Sequence, residues 1–290
     1  MKDKMKKCLP LFILIFFLYS CSPAKVLGKA AKEDVINSGA LINAHIGISV
    51  FEPATGKWWY NYQGDKYFVP ASNTKLPTCY AVMKYLGDSL VGLKYLETDT
   101  AILIQPTADP TLLHRDYKVQ PVFTFLKSTK KPLIYIMPYW QSNAYGRGWN
   151  WDDYNESYAP ERSSLPIYGN VAQFNLLQEG KGYKLTTDVP FYKYRINELV
   201  DPLVKNIQIK RRQSENLFDV EQATAVFTSV QIPFITYENH RLLEDTLNSH
   251  WRDRVRFPIN TSFKNIYSQH SDSLFKPMMH RSDNFFAEQS

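Results

Sequence analysis

The sequence predicts an α+β, or mixed α/β, chain. A hairpin pattern near residue 50 runs straight into a helical pattern. Short apolar runs broken by Pro, Asp and Asn fill the middle. The last segment, Leu274 to Ser290, again reads as helical. With 290 residues and 44% hydrophobic content the chain can build a sizeable core, which excludes wholesale disorder. The length allows one large domain or two medium ones, at roughly 100–200 residues each.

Lys2, Lys4, Lys6 and Lys7 precede an unbroken apolar run, Leu9 to Leu18. The run is too short to span a bilayer, which takes about 20 apolar residues, and it has the layout of a secretory signal peptide. It ends Leu18-Tyr19-Ser20-Cys21, which resembles the lipobox of bacterial lipoproteins. That resemblance implies cleavage before Cys21, lipid on its sulfur and a tether to the membrane. The alternative is an uncleaved anchor, which also places the protein outside the cytoplasm. Removing residues 1–20 lowers the net charge from +6 to +3, so the basic balance is partly a targeting matter. No Lys/Arg run is interleaved with aromatics, and nucleic acid is excluded as a partner. Cys8 leaves with the leader and Cys21 carries lipid, so Cys79 has no partner for a disulfide. The six histidines make no zinc spacing; neither metal nor other cofactor is expected.

Residues 22–43 read as a tether leading into a first helix around Ala30–Val35. Ala44 to Phe51 and Lys57 to Tyr62 form the hairpin, turning at Pro53-Ala54-Thr55-Gly56. A helix begins at Ser72 and stops at Gly87. Strand-like runs follow at 100–104, 132–136 and through much of 183–240, including 225–230.

Ser72-Asn73-Thr74-Lys75 fits Ser-x-x-Lys. On a helix these two side chains share a face, and a partly desolvated lysine can take the proton that makes a serine hydroxyl nucleophilic. The pattern occurs four times, also at Ser22, Ser128 and Ser273, but only Ser72 sits at a strand-to-helix junction after a hairpin. In its setting, Phe68-Val69-Pro70-Ala71-Ser72-Asn73-Thr74-Lys75-Leu76-Pro77-Thr78, the segment resembles the penicillin-recognising serine peptidases. More narrowly, the chain resembles the D-alanyl-D-alanine carboxypeptidase/endopeptidase family, the class C low-molecular-mass penicillin-binding proteins. Ala108-Asp109-Pro110-Thr111-Leu112 is similar to that family's Gly-Asp-Pro-Thr-Leu, with Ala for Gly. Gly148 to Tyr154 resembles its Trp-rich block, and Ser282-Asp283-Asn284 its second active-site motif. Ser214-Glu215-Asn216, Tyr168-Gly169-Asn170 and Tyr237-Glu238-Asn239 also fit a second-motif pattern. Ser282 is preferred for its flanks and for its spacing, 207 positions beyond Lys75, which argues against the classical β-lactamases.

The resemblance implies a partial β-lactamase/transpeptidase-like domain with a large, mostly β insertion. Its limits would be a leader at 1–20, a tether and first helix at 21–43, the first part of the domain at 44–94, an insertion at 95–265, and the start of the second part at 266–290. It implies a serine peptidase of peptidoglycan stem peptides, acylated by β-lactams, in the bacterial cell envelope facing the periplasm. Ser72 would be the nucleophile, Lys75 the general base, Ser282 a proton relay and Asn284 a substrate and Lys75 partner. The oxyanion hole would take the Ser72 N–H and a donor from a later strand, each worth roughly 3–4 kcal/mol. Asp153 would bind the free amine of a diamino acid, with Tyr158 packing nearby; the alternative for Asp153 is a salt bridge or turn cap. Trp149 and Trp151 are expected in the core, and Asp109 and Pro110 as turn formers.

The family's third motif, Lys-(Thr/Ser)-Gly, has no counterpart. No Lys-x-Gly occurs, the nearest variant is His45-Ile46-Gly47, and the last glycine is Gly182, so the final 108 residues hold none. The expectation is therefore the N-terminal portion of a longer enzyme. Its alternative function is that of a catalytically incomplete lipoprotein that at most binds cell-wall peptide.

Overall fold

A computed structural model describes residues 22–137, 140–179, 182–197, 207–222, 229–249, 252–255 and 262–290. The leader with Cys21 and positions 225–228 of one expected strand lie outside the described residues. Contacts divide the chain into two units, Met1–Pro70 and Ala71–Ser290.

In the first unit, helix α1 (Pro23–Ala30) continues as a wider turn through Ala31–Ile36. It begins earlier than the sequence suggested, because Pro23 at its first position pre-sets a helical φ. Strands β1 (Ile48–Glu52) and β2 (Lys57–Tyr62) pair antiparallel, Val50 opposite Tyr60, as the hairpin pattern predicts. The helix lies on β2 so closely that a Cβ on Gly28 would come within 3.3 Å of the Tyr60 ring.

The second unit opens with a 3-10 turn, Ser72–Thr74, and helix α2 (Lys75–Tyr85). Pro77 is tolerated in its first turn, and Gly87 at φ +70° ends it. Strands β3 (Ser89–Glu97), β4 (Ile102–Pro106) and β5 (Leu133–Ile136) follow, with helix α3 (Pro121–Ser128) between the last two. Then come β6 (Val171–Glu179), β7 (Gly182–Thr187), β8 (Ile196–Asn197), β9 (Ile207–Arg211), β10 (Phe218–Gln222) and β11 (Ser229–Pro233). Helix α4 (Asn239–Leu247), strands β12 (Arg252–Val255) and β13 (Lys264–His270), and helices α5 (Asp272–His280) and α6 (Asn284–Gln289) complete the order. The fold is mixed α+β, as expected.

The largest sheet runs β12-β5-β4-β3-β13. β4 is nearly continuous apolar sequence because it is central and parallel to β5. β13 pairs antiparallel with β3, so the sheet crosses the expected limits at 95 and 265. Two three-stranded sheets, β11-β6-β7 and β8-β10-β9, stand apart from it. One core, including Leu93, Ile104, Phe174, Phe218, Phe234 and Leu243, runs continuously through the unit. Helices α3 and α4 were not foreseen. Each presents apolar side chains four positions or fewer apart to that core, Val122 and Leu126 from one, Leu242 and Leu243 from the other.

A second, smaller core joins α2, α5 and α6 through Val82, Leu274, Met278, Phe285 and Phe286. Ser271 ties the start of α5 back to the end of α2, donating from its N–H to Asp88 O at 2.9 Å and from its hydroxyl to Gly87 O at 2.6 Å.

Ala108, where the resembled family carries Gly, sits at φ +64°. That region costs an L-residue roughly 1–2 kcal/mol, against roughly 0.5–1 kcal/mol of extra chain entropy for Gly. Ala108→Gly is expected to raise the free energy of unfolding by about 0.5–1 kcal/mol in urea denaturation. Phe174→Ala, emptying a fully buried site, is expected to lower it by about 3–5 kcal/mol.

Candidate active site

The turn before α2 is fixed by its own side chains. Asn73 Oδ1 accepts the Ala71 N–H at 2.9 Å, and the Thr74 hydroxyl donates to Ala71 O at 3.0 Å. Ser72 is left exposed at the helix start. One turn on, Lys75 is only 7% exposed, and its Nζ lies 3.4 Å from Ser72 Oγ.

The other half comes from the junction of α5 and α6. The carbonyl of Pro277 accepts from both Arg281 N–H at 3.2 Å and Asp283 N–H at 3.3 Å. Between them Ser282 takes φ +57°. The Asp283 carboxylate then caps α6, accepting from Phe285 N–H at 3.0 Å and Phe286 N–H at 3.4 Å. This brings Ser282 Oγ to 3.5 Å and Asn284 Oδ1 to 2.5 Å from Lys75 Nζ. Four residues singled out in the sequence, Ser72, Lys75, Ser282 and Asn284, therefore meet at one amine.

Burial pulls the Lys75 pKa below the ordinary 10.5, and the Asp283 and Glu288 carboxylates push back only in part. The neutral amine, which can accept a proton, is populated at lower pH than in an exposed lysine.

A groove of about 380 Å³ opens over Ser72 and Lys75, with Trp149, Asn284 and Glu288 also in its lining. Asn284 Nδ2 donates to Tyr158 O at 3.1 Å, and the Tyr158 ring stacks on Trp149 with centroids 6.1 Å apart. Partial desolvation first, then the neighbouring Asp153 carboxylate, raises the Tyr158 pKa. Tyr158 thus joins the site through its backbone and Trp149, while Asp153 lies beside the Tyr158 hydroxyl and does not line the groove.

The expectation of two core tryptophans is corrected. Trp151 is 78% exposed, and Trp149 is half-buried in the groove wall. The block folds as consecutive turns ending in the 3-10 turn Asp153–Asn155, with Trp151 on the solvent side. Trp149 and Glu288 were missed as groove residues. Glu288 had a signal: it lies four positions beyond Asn284 on one helix face.

The competing second motifs are structural. Asn216 donates to Ile235 O at 2.8 Å and accepts from Ile235 N–H at 2.7 Å. Asn170 and Asn239 are buried together, 3.0 Å apart. Asp109 caps its turn, accepting from the Thr111 N–H at 3.1 Å and hydroxyl at 2.9 Å. Among the described residues no group of three or more His, Cys, Asp or Glu could hold a metal ion.

Fold and site together define a serine–lysine centre completed by a Ser-x-Asn turn on a mixed α/β scaffold. Residues 29–289 match the D-Ala-D-Ala carboxypeptidase 3 (S13) family, and the chain belongs to that family. A solved structure, penicillin binding protein 4 (dacB) from Haemophilus influenzae, superposes with a TM-score of 0.61 at 17% identity, covering 84% of this chain and 60% of that one. The likeness is one of fold, and this chain spans 60% of that protein's length. No curated protein matches the chain.

Because the Glu288 charge raises the Lys75 pKa, Glu288→Gln is expected to lower it further. An NMR titration of the Lys75 Cε resonance in both chains reads that shift.

Proposed function

We propose that this chain is a serine D-Ala-D-Ala carboxypeptidase/endopeptidase of peptidoglycan stem peptides, working through an acyl-Ser72 intermediate and acylated by β-lactams. The observation that carries this reading is the buried Lys75 amine within 3.4 Å of Ser72 Oγ. Neutral Lys75 takes the Ser72 proton as Oγ attacks the carbonyl of the penultimate D-alanine. The tetrahedral oxyanion collapses, and the departing D-alanine amine receives a proton passed from Lys75 through Ser282. Water then attacks the ester, its proton returns by the same route, and Ser72 is freed. Asn284 holds Lys75 and the stem-peptide backbone. Asp153, beside the Tyr158 hydroxyl and outside the groove lining, would meet the amine of a diamino acid that extends past the groove.

The leader and Cys21 support a lipid-anchored protein of the bacterial cell envelope, facing the periplasm. Among the described residues no helix is long and apolar enough to cross a membrane.

A fluorescent-penicillin gel tests the reading. The expected result is a labelled band for the wild type and none for Ser72→Ala. No band from folded wild-type protein replaces this reading with one of a chain that binds cell-wall peptide without turning it over. The labelling rate is expected to rise with pH through the depressed Lys75 pKa, since only the neutral amine accepts the proton. A rate that falls over that interval, followed by stopped-time gels, excludes Lys75 as the base.

A further inference from the structure

Ser282 brings the second hydroxyl to the site with its backbone in the left-handed region, at φ +57°. Residues other than Gly, Asn and Asp seldom adopt that conformation unless their surroundings hold them there. The holding groups flank it on both sides. Arg281 Nη2 reaches the Asp116 carboxylate at 2.5 Å and the Asp283 carboxylate at 3.2 Å. One guanidinium therefore spans Ser282, linking the residues on either side of it to a loop 165 positions earlier. The Asp283 end is fixed because its other oxygen caps α6.

The Asp116 end is fixed as well. Its N–H donates to Nδ1 of buried His114 at 3.2 Å, and the His114 ring packs on Phe286 at 4.9 Å. Tyr117 donates its hydroxyl to Ser273 O, in α5, at 3.0 Å. The segment from His114 to Tyr117 thus grips α5, the turn and α6. Arg281 itself is 51% exposed at the side chain, and ion pairs that open to water add little to stability. Its geometric role is the informative one.

The geometry points to Arg281 as a positioning residue that, anchored by Asp116 and Asp283, locks the left-handed turn aiming Ser282 Oγ at Lys75. It touches no substrate. The inference rests on the reading of Ser282 as a proton relay.

Rates of fluorescent-penicillin labelling are compared for wild type, Arg281→Ala, Ser282→Ala and the double variant. Each single change is expected to slow labelling roughly tenfold, with the double variant no slower than Ser282→Ala alone, as for residues acting through one contact. Losses that multiply indicate a general structural role and overturn the inference. Both contacts come from one nitrogen, Nη2, so Arg281→Lys, which keeps the charge and several donors on one nitrogen at the end of a shorter side chain, is expected to recover part of the rate. A second readout needs no reaction. In chains with 13C-labelled serine, the Ser282 Cα and Cβ resonances are identified by their loss in Ser282→Ala. They are expected to move toward averaged positions in Arg281→Ala and Asp116→Ala, and unchanged resonances sink the proposal. A wild type that takes no penicillin, with these shifts still present in the two variants, defeats the functional reading alone.

Discussion

A buried lysine amine must either find acceptors or give up its proton. Lys75 is arranged for both. Desolvation lowers its pKa, while Ser72, Ser282 and Asn284 supply three oxygens within hydrogen-bonding distance. The two strategies set opposite demands on the protein. Too many acceptors would keep the amine charged, and too few would make its burial costly. The observed set is mixed, with one short bond to an amide oxygen and two long ones to hydroxyls. A hydroxyl can return a proton as well as accept a hydrogen bond, so the longer pair is the one the proposed mechanism uses.

That arrangement depends on a small core set apart from the main one. Val82 of α2, Leu274 and Met278 of α5, and Phe285 and Phe286 of α6 meet beneath the site. A further clamp holds α6 at its far end. Gln289 accepts from Ser163 N–H at 3.1 Å and donates to Ser163 O at 2.7 Å, both through its side-chain amide. With Asn284 bonded to Tyr158 O, the helix is stitched at both ends to one stretch of backbone. The stretch from Tyr158 to Ser163 is therefore hydrogen-bonded to both the first and the last turn of the helix.

Much of this was legible in the sequence because it is written locally. The hairpin, the helix from Ser72 to Gly87, and the Ser-x-x-Lys face all follow from short-range spacing. What escaped was set by tertiary packing. Helix α3 contains Val122, Phe123, Thr124 and Phe125, β-favouring residues by propensity, yet it is helical because Pro121 starts it and Val122 and Leu126 reach the core one turn apart. Trp151 looked like core material by its size and lies in solvent. The role of Asp116 had no sequence signal, since its partner Arg281 lies 165 positions away and neither belongs to a motif.

The pairing of β3 with β13 has a consequence for how the molecule comes into being. Residues 89–97 and 264–270 are neighbours in one sheet, so a refolding chain must close a very long loop before Asn284 can reach Lys75. Closing such a loop adds little at equilibrium, about 0.6 kcal/mol per doubling of length, but contacts this remote in sequence form slowly. Until they form, Lys75 is solvated with an ordinary ammonium, and Ser72 is a hydroxyl no more reactive than any other in the chain. In the proposed mechanism nucleophilicity is thus a property of the folded molecule, reached only when residues 264–290 have met the segment that carries Ser72 and Lys75.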